Sequence, residues 1–223
     1  MSDTKHVGVL LFEGFEELDA IGPYEVFGNA GKRGADWTVE TLATEPTDRV
    51  TAAYGLRVEP DGVLGSDAEL GRERDRDLDL NQSLDRDIDY LVVPGGGWND
   101  GDGSEGARAA ANDADLLATL RELHDTGTTL VSVCTGGMIL VEAGILDGRP
   151  AVTHHEAMDD LRESGAEPID ARVVDDGDVV TAGGITAGID CALWLVEREW
   201  GIEVAESVAT AMEYERGGDV HLG

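Results

Sequence analysis

The residue with the greatest chemical reach is Cys134. It lies where the apolar run Thr129-Leu130-Val131-Ser132-Val133 gives way to Thr135-Gly136-Gly137 and then to Met138-Ile139-Leu140-Val141. That pattern reads as a buried strand, an abrupt turn and the start of an apolar helix. Helix amides without intrahelical partners would face a sulfur held at the carboxyl edge of a sheet, favouring thiolate over thiol and making Cys134 a candidate nucleophile. A lone cysteine after Val-Ser-Val is otherwise a small buried hydrophobe. The small residues that follow it allow the sharp turn and close substrate approach that a nucleophile needs.

Three further segments could serve such a nucleophile. Asp19 sits in Glu16-Glu17-Leu18-Asp19-Ala20-Ile21-Gly22-Pro23, just after a first apolar strand. In isolation it is a solvated acid at a helix start. Its apolar and small neighbours would instead let the carboxyl stay protonated or hydrogen-bond a thiol, as a general acid and base must. The turn Pro94-Gly95-Gly96-Gly97-Trp98 follows another buried strand and lacks the Gly-Lys-Ser or Gly-Lys-Thr of a phosphate loop. It reads either as a plain tight turn or as backbone facing developing negative charge on a substrate, with the Gly96 and Thr135 amides as a two-donor pocket. His154 and His155 close a short strand; side chains one apart on an extended segment point to opposite faces, which argues against a shared metal and favours a single histidine, His154, toward the cysteine pocket.

The elements that position these residues alternate. Strands are expected over His6 to Phe12, Trp37 to Ala43, Ile88 to Val93 and Thr129 to Val133, with an extended piece near Leu56 to Val58. Helices are expected from about Glu16 to Asn29, and ending near Thr126 with Leu116, Leu120 and Leu123 on one face. Such alternation predicts an α/β doubly wound, mostly parallel sheet flanked by helices, with ligands gathering beyond the carboxyl ends of the strands. At 223 residues the chain reads as one domain. The stretch from Gly71 to Asp89, dense in Arg and Asp, reads as a solvated surface insertion, with Leu80, Leu84 and Ile88 as one possible helical stripe.

Composition narrows the partners. Against 47 Asp and Glu there are 16 Lys and Arg, for a formal net charge of −31, and the lysines are Lys5 and Lys32 alone. Such a surface repels phosphate backbones and anionic membranes, so neither nucleic acid nor membrane is an expected partner. Self-repulsion on that scale calls for screening, and points to a salt-adapted, halophilic protein. Cys134 and Cys191 lie in different apolar segments, so no disulfide is expected and a reducing compartment fits. With no signal-like amino end and no apolar span of membrane length, the expectation is a soluble, cytoplasmic protein.

These segments together resemble the ThiJ/PfpI superfamily, of the class I glutamine amidotransferase-like, flavodoxin-like fold, a three-layer sandwich. Within it the chain looks most like the isonitrile hydratase branch. The resemblance runs from His6 to about Glu213 and is carried by Leu18 to Val26, Val93-Pro94-Gly95-Gly96, Ser132 to Gly136, Thr153-His154 and Val180 to Asp190. It implies Cys134 as nucleophile, Asp19 as the acid that moves protons, Thr135 as a hydroxyl and amide beside the reacting carbon, and Gly96 with Gly95 and His154 around the substrate. It also implies a homodimer, a small-molecule substrate, and a final helix packed near the nucleophile in which Cys191 is core. Neither metal nor flavin, nicotinamide or pyridoxal phosphate is suggested. The amidase and protease branch places His directly after Cys, where this chain has Thr135. The branch acting on dicarbonyls, glyoxalase-like or deglycase-like, pairs its cysteine with Glu, where this chain has the shorter Asp19. Similar domains form the sensing half of AraC-type regulators, but the chain ends soon after its last helix, leaving no expected room for a helix-turn-helix module.

Overall fold

A computed structural model describes residues 4–65, 88–99 and 103–223. The strand and helix order begins β1 (Lys5–Leu11), α1 (Glu17–Gly31), β2 (Trp37–Ala43), β3 (Val50–Thr51), β4 (Arg57–Val58), β5 (Gly62–Val63) and β6 (Tyr90–Val93). It continues with α2 (Gly106–Ala110), α3 (Ala114–Asp125), β7 (Thr129–Val133), α4 (Gly136–Glu142), β8 (Pro150–Ala151), α5 (Met158–Glu163) and β9 (Glu167–Pro168). The carboxyl-terminal part holds β10 (Val173–Asp175), β11 (Val179–Ala182), α6 (Ala187–Trp200), α7 (Ile202–Ala211) and β12 (Val220–Leu222).

Eight strands form one sheet in the order β12-β10-β11-β7-β6-β1-β2-β5. Its centre is parallel, with Val9 opposite Thr41 on one side and opposite Val92 on the other, and Val92 opposite Val131. Only β10 meets its neighbour β11 antiparallel among these pairs, as a short hairpin return. The central strands are covered on both faces, which is why Val7, Val9, Leu10, Leu11, Leu91, Val92 and Val93 run on as apolar residues without alternation. Each such side chain contributes roughly 1.5–3 kcal/mol on leaving water. Helices α1, α6 and α7 pack together on one side of the sheet and α2, α3 and α4 on the other, giving three layers.

The close approach of α1 and α6 depends on small residues. A Cβ at Gly22 would lie 3.1 Å from Ile189, and one at Gly188 would lie 2.9 Å from Val133 and 3.4 Å from Pro23. This contact seats the first turn of α1, with Asp19, over the carboxyl end of β7. Because β1 connects outward to β2 while β6 lies on its other flank, the order in which strands are added reverses between the parallel β1 and β6. Loops leaving adjacent strands part at such a point and open a crevice.

Several expectations need adjustment. The strand expected from Ile88 begins at Tyr90, and Asp89 caps its entry by accepting the His6 amide and pairing with Lys5, each at 2.8 Å. The insertion expected from Gly71 lies outside the described residues up to position 87. The strand before His154 does not join the main sheet: β8 pairs with β9 in a separate two-stranded piece. No helix among the described residues is long and apolar enough to cross a membrane.

Candidate active site

The loops after β1, β6 and β7 meet at the carboxyl edge of the sheet, and with them Asp19, the Gly95-Gly96 turn and Cys134. Cys134 has φ +57°, a left-handed conformation that is costly for a residue with a Cβ and persists only where its surroundings fix it. Those surroundings are visible. Its amide donates to the Ala182 and Gly183 carbonyls at 3.1 and 2.8 Å, and its own carbonyl accepts the Thr153 hydroxyl at 2.8 Å. The turn is threaded so tightly past β6 that a Cβ at Gly136 would lie 2.1 Å from the Val93 carbonyl oxygen.

Asp19 is fully buried. Its Oδ2 accepts the Gly95 amide at 2.9 Å. Oδ1 has no hydrogen-bond partner among the described residues, and the neighbouring Cys134 thiol tempers the acid's shift. Burial is the main cause that pushes this carboxyl up to about 7, with the nearby Glu16 adding to the rise and the Gly95 amide opposing it. The sequence reading of a carboxyl able to hold a proton near neutrality agrees with this environment.

Three sequence expectations are corrected here. The thiolate is not the resting form of Cys134: burial first, then the negative charge of Asp19, pushes the thiol up to about 12. Donors do reach the sulfur, namely the Ile185 amide and both the amide and hydroxyl of Thr135, yet they do not outweigh desolvation at a residue 6% exposed. Above about 7 the pair therefore holds one proton, on sulfur, and below it the carboxyl takes up a second.

The second correction concerns the proposed two-donor pocket. The Gly96 amide donates to Thr135 Oγ1 at 3.0 Å and the Thr135 amide is turned to the Cys134 sulfur, so both donors of that pocket are engaged within the protein, while the Gly95 amide serves Asp19. The turn instead acts through its partners, since Thr135 Oγ1 accepts from Gly96 and offers its own proton to the sulfur. Glycine is required there: a Cβ at Gly95 would lie 2.5 Å from both Thr135 N and Oγ1, and Gly96 has φ +117°.

The third concerns the histidines, whose rings lie side by side at 4.3 Å because the chain enters a helical turn at His155. His155 is 80% exposed, whereas His154 is largely covered and packs on Gly184, where a Cβ would lie 2.8 Å from its Cδ2. His154 Nδ1 accepts the Glu156 amide at 3.3 Å, and burial, with His155 beside it, holds its pKa below the usual histidine value. It braces the turn next to the cysteine rather than sharing the Cys134–Asp19 contact. Cys191 is 1% exposed in α6, and burial raises its pKa.

Sequence reasoning assigned no role to Ile185 or Thr153. The Gly183-Gly184 pair was the available signal for a strained turn at Ile185, and a threonine after a strand end gives almost none. No group of His, Cys, Asp or Glu among the described residues has the arrangement to hold a metal ion.

Residues 5–198 match the model of the DJ-1/PfpI family. The isonitrile hydratase of Pseudomonas putida is 33% identical over 208 residues, which is 93% of this chain and 78% of that protein. The HTH-type transcriptional regulator CdhR of Pseudomonas aeruginosa is 38% identical over 206 residues, 90% of this chain but 52% of the regulator, so the chain spans about half its length. Among solved structures, a ThiJ/PfpI family protein from Pseudomonas syringae superposes with a TM-score of 0.78 at 29% identity, covering 96% of this chain and 77% of that one.

Proposed function

The chain belongs to the DJ-1/PfpI family, and from that footing we propose that it is a cysteine-dependent enzyme adding water to a small uncharged electrophile, an isonitrile that leaves as an N-substituted formamide. The observation that carries this reading is the buried pair of Asp19 and Cys134, an acid with a pKa near 7 beside a strained, nearly closed-off thiol. A buried site whose acid carries a negative charge above about 7 disfavours anionic substrates and suits a neutral one.

In this mechanism Cys134 sulfur attacks the terminal carbon of R–NC while its proton passes to the Asp19 carboxylate. Asp19 returns that proton to the same carbon, giving a thioimidate. Water then adds to the thioimidate carbon, and the C–S bond breaks to release R–NH–CHO and restore the thiol. Hydroxyl and amide of Thr135, with the Ile185 amide, stabilise charge on sulfur as it develops and again as it departs. The family reading further makes the protein a homodimer of the cytoplasm that needs no cofactor.

A second reading is favoured by the identity shared with the regulator: a domain that binds or senses an electrophile without turning it over. The deciding experiment is a panel on purified protein in molar salt, with an alkyl isonitrile, methylglyoxal and a chromogenic anilide. Formamide production that is lost in Cys134→Ala supports the hydratase. Turnover of methylglyoxal or the anilide alone moves the assignment to another branch of the family, and adduct formation without turnover of any substrate supports the sensor.

A further inference from the structure

Ile185 is a β-branched residue at φ +27°, a conformation such side chains take only where neighbours impose it. The turn that carries it touches the cysteine directly, the Gly183 carbonyl accepting the Cys134 amide at 2.8 Å, and the Ile185 amide is turned toward the Cys134 sulfur. One residue grips the turn that carries it at both ends. The Arg172 carbonyl accepts the Gly183 amide at 3.0 Å, Nη2 donates to Thr186 Oγ1 at 3.0 Å, and Nε donates to Asp190 Oδ2 at 2.5 Å in the first turn of α6. Asp190 is itself fixed, accepting the Tyr214 hydroxyl and the Gly217 amide at 2.8 Å each. The anchor is therefore rigid, and the planar guanidinium spans two acceptors at once as an ammonium would not.

We propose that Arg172 is a positioning residue of the active site, clamping the turn between Gly183 and Thr186 so that the Ile185 amide is aimed at the Cys134 sulfur. This rests on Cys134 being the reacting residue, and it says what tunes that residue. Without the clamp the strained turn relaxes, the amide swings off the sulfur, and the thiolate loses a donor. Asp19 on α1 is the acid whose charge bears on the sulfur, Glu16 in turn bears on Asp19, and both are kept in every variant below.

The test is the rate of Cys134 alkylation by iodoacetamide at one fixed pH in molar potassium chloride, with melting temperature measured in parallel. Losing one donor to the thiolate should raise its pKa by about one unit. Alkylation in Arg172→Gln should then slow about three- to tenfold, since the remaining thiolate is scarcer though more nucleophilic. Thr186→Val, which leaves every charge in place, should slow it in the same direction, and Arg172→Lys should not restore the wild-type rate. A lower melting temperature with alkylation unchanged or faster would mean that Arg172 only holds the fold together, and the proposal is overturned. Wild-type rates in both Thr186→Val and Arg172→Lys would trace the effect to charge and overturn it equally. Should Arg172→Gln fail to fold, those two variants decide on the same terms. No substrate enters the assay, so absence of isonitrile turnover in the wild type would remove the proposed reaction while leaving this result standing.

Discussion

The two carboxylate oxygens of Asp19 differ: Oδ2 accepts the Gly95 amide, and Oδ1 has no hydrogen-bond partner among the described residues. Asp19→Asn keeps the shape and the turn but cannot carry a proton. Turnover of an isonitrile should fall by about 10²–10⁴-fold, while Cys134→Ala abolishes it. The acid limb of the pH profile, set in the wild type by Asp19 losing its carboxylate below about 7, should flatten in the Asn variant. Steady-state rates across that range check both statements, and near wild-type turnover in Asp19→Asn would end the role given to this acid. The same shift has a consequence for stability. An acid whose folded pKa lies above its unfolded value of 3.8 favours the folded state at low pH, and that contribution is lost as pH rises through about 7. Asp19→Asn should therefore be more stable than wild type above neutrality, by up to about 4 kcal/mol, and the gain should vanish below about pH 4 in urea titrations. Brief iodoacetamide treatment of the folded protein should modify Cys134 and spare Cys191, which is sealed inside α6; equal labelling on peptide mapping would remove the distinction. Residue types made Cys134 and Asp19 legible as a pair, because a turn after a strand and an acid among apolar neighbours are written in the chain. The protonation state was not legible, since desolvation depends on how completely distant segments close over the sulfur.

At the scale of elements, the pair is assembled by three adjacent strands whose following loops have nowhere else to go. β2 was readable to its last residue from Trp37 to Ala43, and β7 from Thr129, because apolar runs bounded by turn residues are local signals. The short strand before His154 was readable as β8 but not its pairing, and β9, the antiparallel β10 and the late β12 were not read, as each is two or three residues long and exists only through its partner strand. Direction of individual amides was equally invisible: three glycines in a row announce a turn, but not that Gly95 would serve Asp19 and Gly96 would serve Thr135. Gly95→Ala tests that arrangement. Its Cβ would meet the Thr135 amide and hydroxyl at 2.5 Å, so β6 and the Cys134 turn must separate. Displacement of the order of an ångström at a reacting group costs about 10²-fold, and turnover should fall at least that far in a protein whose circular dichroism still reports the fold. An alanine variant with wild-type turnover would show that the two loops are not held in register by this contact.

Across the whole molecule, charge sets the conditions under which any of these elements stay together. Of the cations, Arg149, Arg162, Arg172, Arg198 and Arg216 are already paired with carboxylates, and with 47 acids against 16 Lys and Arg most acids have no cation to offset them. Folding gathers those acids, and their repulsion opposes it over a distance that shrinks from about 10 Å at 0.1 M salt to about 3 Å at 1 M. Melting temperature should accordingly climb steeply from dilute to molar potassium chloride, more than the loss of exposed ion pairs takes away, since each of those is worth about 1 kcal/mol or less. Protonation should act in the same direction as screening. Lowering the pH toward the carboxylate range removes charge from the repelling acids, so stability in dilute buffer should rise as pH falls from 8 toward about 5. In molar salt that pH dependence should flatten, leaving mainly the buried Asp19. A melting temperature indifferent to salt would refute the salt-adapted reading. One that rises with salt while ignoring pH in dilute buffer would assign the stabilisation to ion binding or preferential exclusion rather than to screened repulsion.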